Sequence, residues 1–245
     1  MGLFRLPGRI VYAVAIACFG VHYLLFAAGV SAAPGSPWYP SQDKISWIAG
    51  ACLFLAGVSI LSNWFGKWTA MALGTALLFR VAYIHIQRIV INVHDPAPWI
   101  AAGEILALSG GAFALAGSLS GHHFFSAPIS RPGQFLFAVP LLVFGVQDLR
   151  LAPVVAALMP AWFPAPLNWA YGIGIAFILV ASAIIFGRLA TIASWLLGFV
   201  FFLWLVIVQA PRVVASPHSG SAWTSAILAL ALTGSALSVA GSISK

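Results

Sequence analysis

The sequence predicts an all-α integral membrane fold, eight transmembrane helices arranged as two parallel-repeat four-helix bundles, on three observations. Composition comes first: 62% of the residues are hydrophobic, 6% are charged and mean hydropathy is +1.04, whereas about a quarter of a water-soluble domain is charged. Second, the apolar stretches run about 20 residues without period-two alternation, which is the length of a helix across a bilayer and not the pattern of barrel strands. Third, the chain repeats itself. At an offset of 124 positions, His94 and Trp99 fall on His218 and Trp223, Leu106-Ala107-Leu108 on Leu230-Ala231-Leu232, and Ala116-Gly117-Ser118 on Ala240-Gly241-Ser242. Near the start the offset is 125, which puts Pro7-Gly8 on Pro132-Gly133 and Phe19-Gly20-Val21 on Phe144-Gly145-Val146. Two units with an even number of spans enter the bilayer in the same orientation, related by an axis along its normal.

The first span is expected near 10–31, behind Arg5 and Arg9. Its end, Val30-Ser31-Ala32-Ala33, resembles a signal-peptide cleavage site, but Pro34 follows and the segment has a counterpart at 133–152, so it is read as a retained span. Met1-Gly2 is not a myristoylation signal, because position six is Leu6 and not Ser or Thr. Further spans are expected at 45–62, 68–91 and 98–118, then at 133–152, 168–186, 189–210 and 222–242. They divide the chain into a first unit, 1–121, a cytoplasmic linker, 122–132, holding the solvated pair His122-His123, and a second unit, 133–245. In the fourth span of each unit the small residues Gly110, Gly111, Ala114 and Gly117, and Gly234, Ala236, Ala240 and Gly241, let backbones approach closely. That makes these spans the innermost helices.

The net charge of +7 is spread singly over the loops, which makes no basic patch and excludes nucleic acid as a partner. It reads instead as topology. With a cytoplasmic N-terminus, that side holds Arg5, Arg9, Lys67, Arg131, Arg188 and Lys245, against Lys44, Arg150, Arg212 and Arg88 on the other, so both termini are expected inside. The Trp- and Pro-rich connections, Pro34 to Pro40 and Pro160 to Trp169, then face outward. Partners are the lipid bilayer and other proteins of a membrane complex.

Ionisable groups at membrane depth are expensive and mark function by default. The first half has His22 and Tyr23 on span one, Arg80, His85, Gln87 and Arg88 on span three, and Glu104 on span four. His22, Arg80, His85 and Glu104 are the ligand-binding candidates. At 1.5 Å per residue, Glu104 comes to about the depth of His85 and within reach of Arg80, so an Arg80–Glu104 ion pair is expected. Three readings stay open. The pair pins helices together; or the cluster binds a quinone head group or moves protons; or His22 and His85 ligate haem b, which needs both imidazoles on facing helices at one depth. Phe201, Val206 and Leu228 stand at the corresponding places in the second half, so the site is assigned to the first half and the second is scaffold. That half keeps Gln147, Asp148, Arg150, Gln209, Arg212 and His218, mostly near its outer surface. The recurring His94, Trp99, His218 and Trp223 are read as helix-start or interface positions. Cys18 and Cys52 lie on separate spans with no Cys-x-x-Cys, so they are read as small buried hydrophobes without redox chemistry. No metal-ligand spacing, phosphate loop or catalytic constellation is present.

Several short segments resemble bacterial DoxX-like membrane proteins: Phe144-Gly145-Val146-Gln147-Asp148, Trp162-Phe163-Pro164, Pro211-Arg212-Val213-Val214 with Pro217-His218 and Trp223, and Ala229 to Ala236. The first half repeats the pattern with Phe19-Gly20-Val21-His22-Tyr23, Trp38-Tyr39-Pro40, His94, Trp99 and Leu106 to Gly117. The resemblance implies a four-helix unit, duplicated here, in a bacterial cytoplasmic membrane. Some members join redox assemblies, and others have no known activity. The function expected is therefore a non-catalytic membrane subunit or scaffold of an electron-transfer assembly. A quinone- or haem-binding redox component is the alternative, and a small-molecule transporter the third reading.

Overall fold

A computed structural model describes residues 5–27, 44–120, 123–157, 159 and 162–243, and among them the chain is helical with no strand. In chain order the helices are α1 (Arg5–Ala27), α2 (Lys44–Ser62), α3 (Gly66–Ile91), α4 (Pro96–Ser118), α5 (His123–Arg150), the short α6 (Ala152–Ala157), α7 (Pro166–Phe186), α8 (Ala190–Ala215) and α9 (Gly220–Ile243). Seven of them are long and apolar enough to cross a membrane, while α2 has a shorter apolar stretch, Ser46–Ser62. The Pro34–Pro40 connection, His122 and the chain ends fall outside the described residues.

The segment expected to be a linker is helical from His123 onward and runs unbroken into α5. Pro128, Pro132 and Pro140 are accommodated within it. Each proline removes one backbone bond and tends to kink a helix, so the three are tolerated breaks within one helix.

Local features recur 124 residues apart. α3 and α8 each follow a tight turn with left-handed residues, Asn63 and Phe65 before the one, Gly187 and Leu189 before the other. Each then passes through a π-helical turn, Val81–His85 and Leu205–Gln209, and ends at a residue that leaves the helical conformation, Asn92 or Ser216. Beyond the ends, Trp99 Nε1 donates to the Val93 carbonyl at 3.0 Å and Trp223 Nε1 to the Pro217 carbonyl at 2.9 Å. The indole thus ties the start of α4 or α9 back to the preceding loop. Trp223→Phe and Trp99→Phe are each expected to lower stability by about 1 kcal/mol; equal detergent-melting temperatures for variant and parent would show that these bonds contribute nothing.

The helices form two rings that share one edge. α4 and α9, 78% and 83% buried against 28 to 50% for the other spans, lie side by side at the centre. One ring runs α1, α2, α3, α4, α9; the other runs α5, α7, α8, α9, α4. As a result the first helix of each half packs on the last helix of the other: α1 on α9 and α5 on α4, with little contact inside each half between first and last. Glycines make the crossings possible. A Cβ on Gly234 would overlap the backbone of Tyr12 in α1, and one on Gly110 would overlap the backbone of Phe137 in α5. Tyr12 is fully buried and donates its hydroxyl to the Leu108 carbonyl of α4 at 2.8 Å. The described helices of 1–121 and of 133–245, the two units expected, are interlocked by these contacts.

Chain direction alternates from helix to helix. One end of the bundle, called distal here, collects residues 92–95, 162–165 and 216–219 with α6; the proximal end collects 63–65, 119–120 and 187–189.

Candidate ligand-binding cavity

A cavity of about 310 Å³ lies inside the second ring. Glu104 reaches it from α4, Gln147 and Asp148 from α5, Gln209 from α8 and Ser225 from α9. Its walls are aromatic. Phe144 meets Phe177 edge-on with ring centroids 6.4 Å apart, Phe177 lies 5.8 Å from Phe201, and Trp204 completes the wall. Gly103, next to Glu104, has no side chain, and that leaves room for the Phe144 ring. The π-helical turn of α8 ends at Gln209 and turns its side chain inward, where the buried amide oxygen accepts from Arg212 Nη1 at 3.3 Å. π turns inserted into α-helices are frequent at functional sites.

Neither carboxylate has a hydrogen-bond or ion-pair partner among the described residues, and no basic side chain lines the cavity. Two carboxyls, two amides and a hydroxyl therefore converge on a space at membrane depth that is otherwise apolar. Such a set can accept hydrogen bonds from a ligand through the carboxylates and donate to it through the amides. The size is at the lower end of small-molecule sites, which are mostly apolar with a few convergent polar groups.

The four candidates read from the sequence do not form one cluster. Glu104 faces the second ring. Arg80 lines a groove in the first ring beside Tyr23, and the expected Arg80–Glu104 ion pair is not formed. The error was rotational: equal depth on two helices says nothing about which faces meet, and α4 is buried on nearly all sides, so its residues face both rings. His22 is 6% exposed and points from α1 to the first turn of α9, with Nε2 3.1 Å from the Gly220 carbonyl and 3.2 Å from the Thr224 hydroxyl. His85 is fully buried in the π turn of α3, with no hydrogen-bond partner for either ring nitrogen. These imidazoles do not fit a bis-histidine haem site, since the Nε2 of one is already engaged by α9 and the other is enclosed. No haem step is derived.

Two outer grooves repeat one another across the halves. His218 and Trp223 line one of about 550 Å³ with His22 and Cys18; His94 and Trp99 line one of about 590 Å³ with Gln147 and Arg150. Both His94 and His218 are exposed, at loops that precede α4 and α9. No group of three or more metal-ligating side chains occurs among the described residues, and Cys18 and Cys52 are free thiols, the second of them exposed, not buried as expected.

Asp148, Gln147 and Gln209 were placed near the outer surface by sequence reasoning, and the ligand-binding candidates were all taken from the first half. The signal that finds them is the recurrence of local features 124 residues apart. The matching π turns align His85 with Gln209 and Arg80 with Trp204, not with Val206 and Phe201, and the offset of 125 sets Asp148 on the buried Tyr23. Comparison with protein-family models, curated proteins and solved structures gives no match.

Proposed function

We propose that the protein is a duplicated DoxX-like membrane protein, with α2 as an eighth span and both termini cytoplasmic. In this reading it serves a membrane assembly by binding a small molecule and not by catalysis. The observation that carries the reading is the convergence of Glu104 and Asp148, one from each half, on a single aromatic-walled cavity with no basic partner. Two half-buried, unpaired carboxyls within a bundle oppose stability, and a bound ligand that donates to them supplies the compensation. The local features recurring 124 residues apart support the duplication, and the distribution of Arg and Lys supports the orientation.

A quinone head group is the second reading. The flat aromatic walls and the Gln147 and Gln209 amides favour it, since amides can donate to a carbonyl oxygen and carboxyls can donate or accept according to protonation. Protein purified from its own membranes should carry a small molecule identifiable by mass spectrometry, and Glu104→Gln with Asp148→Asn should lose it while remaining folded. A short-chain ubiquinone that raises the melting temperature of the parent but not of the double variant supports the quinone reading. Equal occupancy in parent and double variant leaves a scaffold with no ligand function for this cavity.

A further inference from the structure

The first ring contains a different kind of site, a groove of about 720 Å³ between α1, α2 and α3. Ser59 and Thr69 close its proximal end through a hydroxyl contact of 2.8 Å. Small and aliphatic side chains form its walls, Ala49, Leu53 and Ala56 on α2 facing Ala72, Ala76 and Leu77 on α3. Phe79 and Tyr83 flank it at 70% and 74% exposure, so it opens sideways to the lipid and not only to water.

Among its lining residues one is charged, Arg80, which hydrogen-bonds the buried Tyr23. Guanidinium N–H groups and a phenol O–H are donors, and an ionised carboxylate is a pure acceptor that an arginine fork holds in two parallel bonds. Between Arg80 and Thr69 the groove extends about 16 Å along α3, the length of about a dozen carbons of extended chain. Arg80 also lies about 16 Å along α3 from its distal end at Ile91, deeper than the interface where a phospholipid phosphate is held. A diacyl lipid would have to sink its glycerol and second chain to reach it. A single-chain acid would not.

We propose that this groove binds a long-chain free fatty acid, its carboxylate on Arg80 and Tyr23 and its hydrocarbon chain lying between α2 and α3 toward Thr69. The site is independent of the Glu104–Asp148 cavity, which belongs to the other ring.

The test uses the full-length protein in nanodiscs and a palmitic acid carrying a photoactivatable diazirine in its chain. Labelled peptides should come from α2 and α3, and unlabelled palmitate should compete about tenfold or more better than methyl palmitate, which keeps the chain and loses the charge. Arg80→Gln should reduce labelling by about the same factor and erase the difference between acid and ester. Should Arg80→Gln fail to fold, the acid–ester comparison on the parent decides alone, with Tyr23→Phe as the milder variant expected to weaken the acid and not the ester. Equal competition by acid and ester, or labelling outside the groove, overturns the proposal. So does stronger competition by phosphatidylglycerol. Glu104→Gln should leave labelling unchanged, so failure here does not touch the acidic-cavity reading, and failure there does not touch this one.

Discussion

Gly234→Ala should destabilise the protein by about 3 kcal/mol or more, among the largest effects of any single methyl group in this chain. The added carbon meets the backbone nitrogen and Cα of Tyr12, which belong to a packed helix and cannot swing aside as the tip of a side chain could. Gly110→Ala meets the backbone of Phe137 in the same way and should behave alike. The control is Gly172→Ala on α7, where the new methyl finds nothing within 4 Å and alanine's better helix propensity should add up to about 1 kcal/mol. Reversible unfolding in mixed micelles, or detergent-melting temperature, separates the signs. If Gly234→Ala melts with Gly172→Ala, then α1 and α9 do not cross at this point.

Glu104→Leu should do the opposite and raise stability by about 1–3 kcal/mol, because it removes a carboxyl that is withdrawn from water and lacks a protein partner. Leucine already stands at the matching place, Leu228, on the neighbouring central helix, and it lines the same cavity. The gain should come with loss of any ligand the cavity holds, a trade of stability for function. Arg80 should not enter: the effect of Glu104→Ala combined with Arg80→Ala is expected to equal the two single effects added, within about 0.5 kcal/mol. A coupling beyond that, or a destabilised Glu104→Leu, would restore the ion pair that the sequence suggested.

Much of the fold was legible in the residues because the bilayer imposes it. Runs of about 20 apolar residues have only one stable form at that depth, so the long helices were found within about five residues except α5, which begins well before its expected start, and the small residues of the fourth spans marked α4 and α9 as central. The site was less legible. Depth follows from residue number, but facing follows from helix rotation, and a π turn rotates everything after it by an amount no hydropathy pattern records. His85 and Gln209 both lie at such turns. The partnering of α1 with α9 and of α5 with α4 was not legible either, since a repeat says that two units are alike and not whether they stand apart or interlock. That is why Glu104, numbered in the first half, lines a cavity with Asp148 and Gln209 of the second.

The crossing of the halves also governs how the chain can be made. When α1 and α2 leave the ribosome and enter the bilayer, the helix that will cover the other side of α1 has yet to be made and follows α3 to α8 in the chain. Until Gly220–Ile243 inserts, the Tyr12 face of α1 has only lipid or a chaperone against it, and the α4 surface that receives α9 is equally bare. The first half is thus an intermediate with two unfilled seams, and both rings close only after α9 inserts. Truncation before α9 should send the product to membrane proteases. The same missing helix supplied as a separate polypeptide should rescue it.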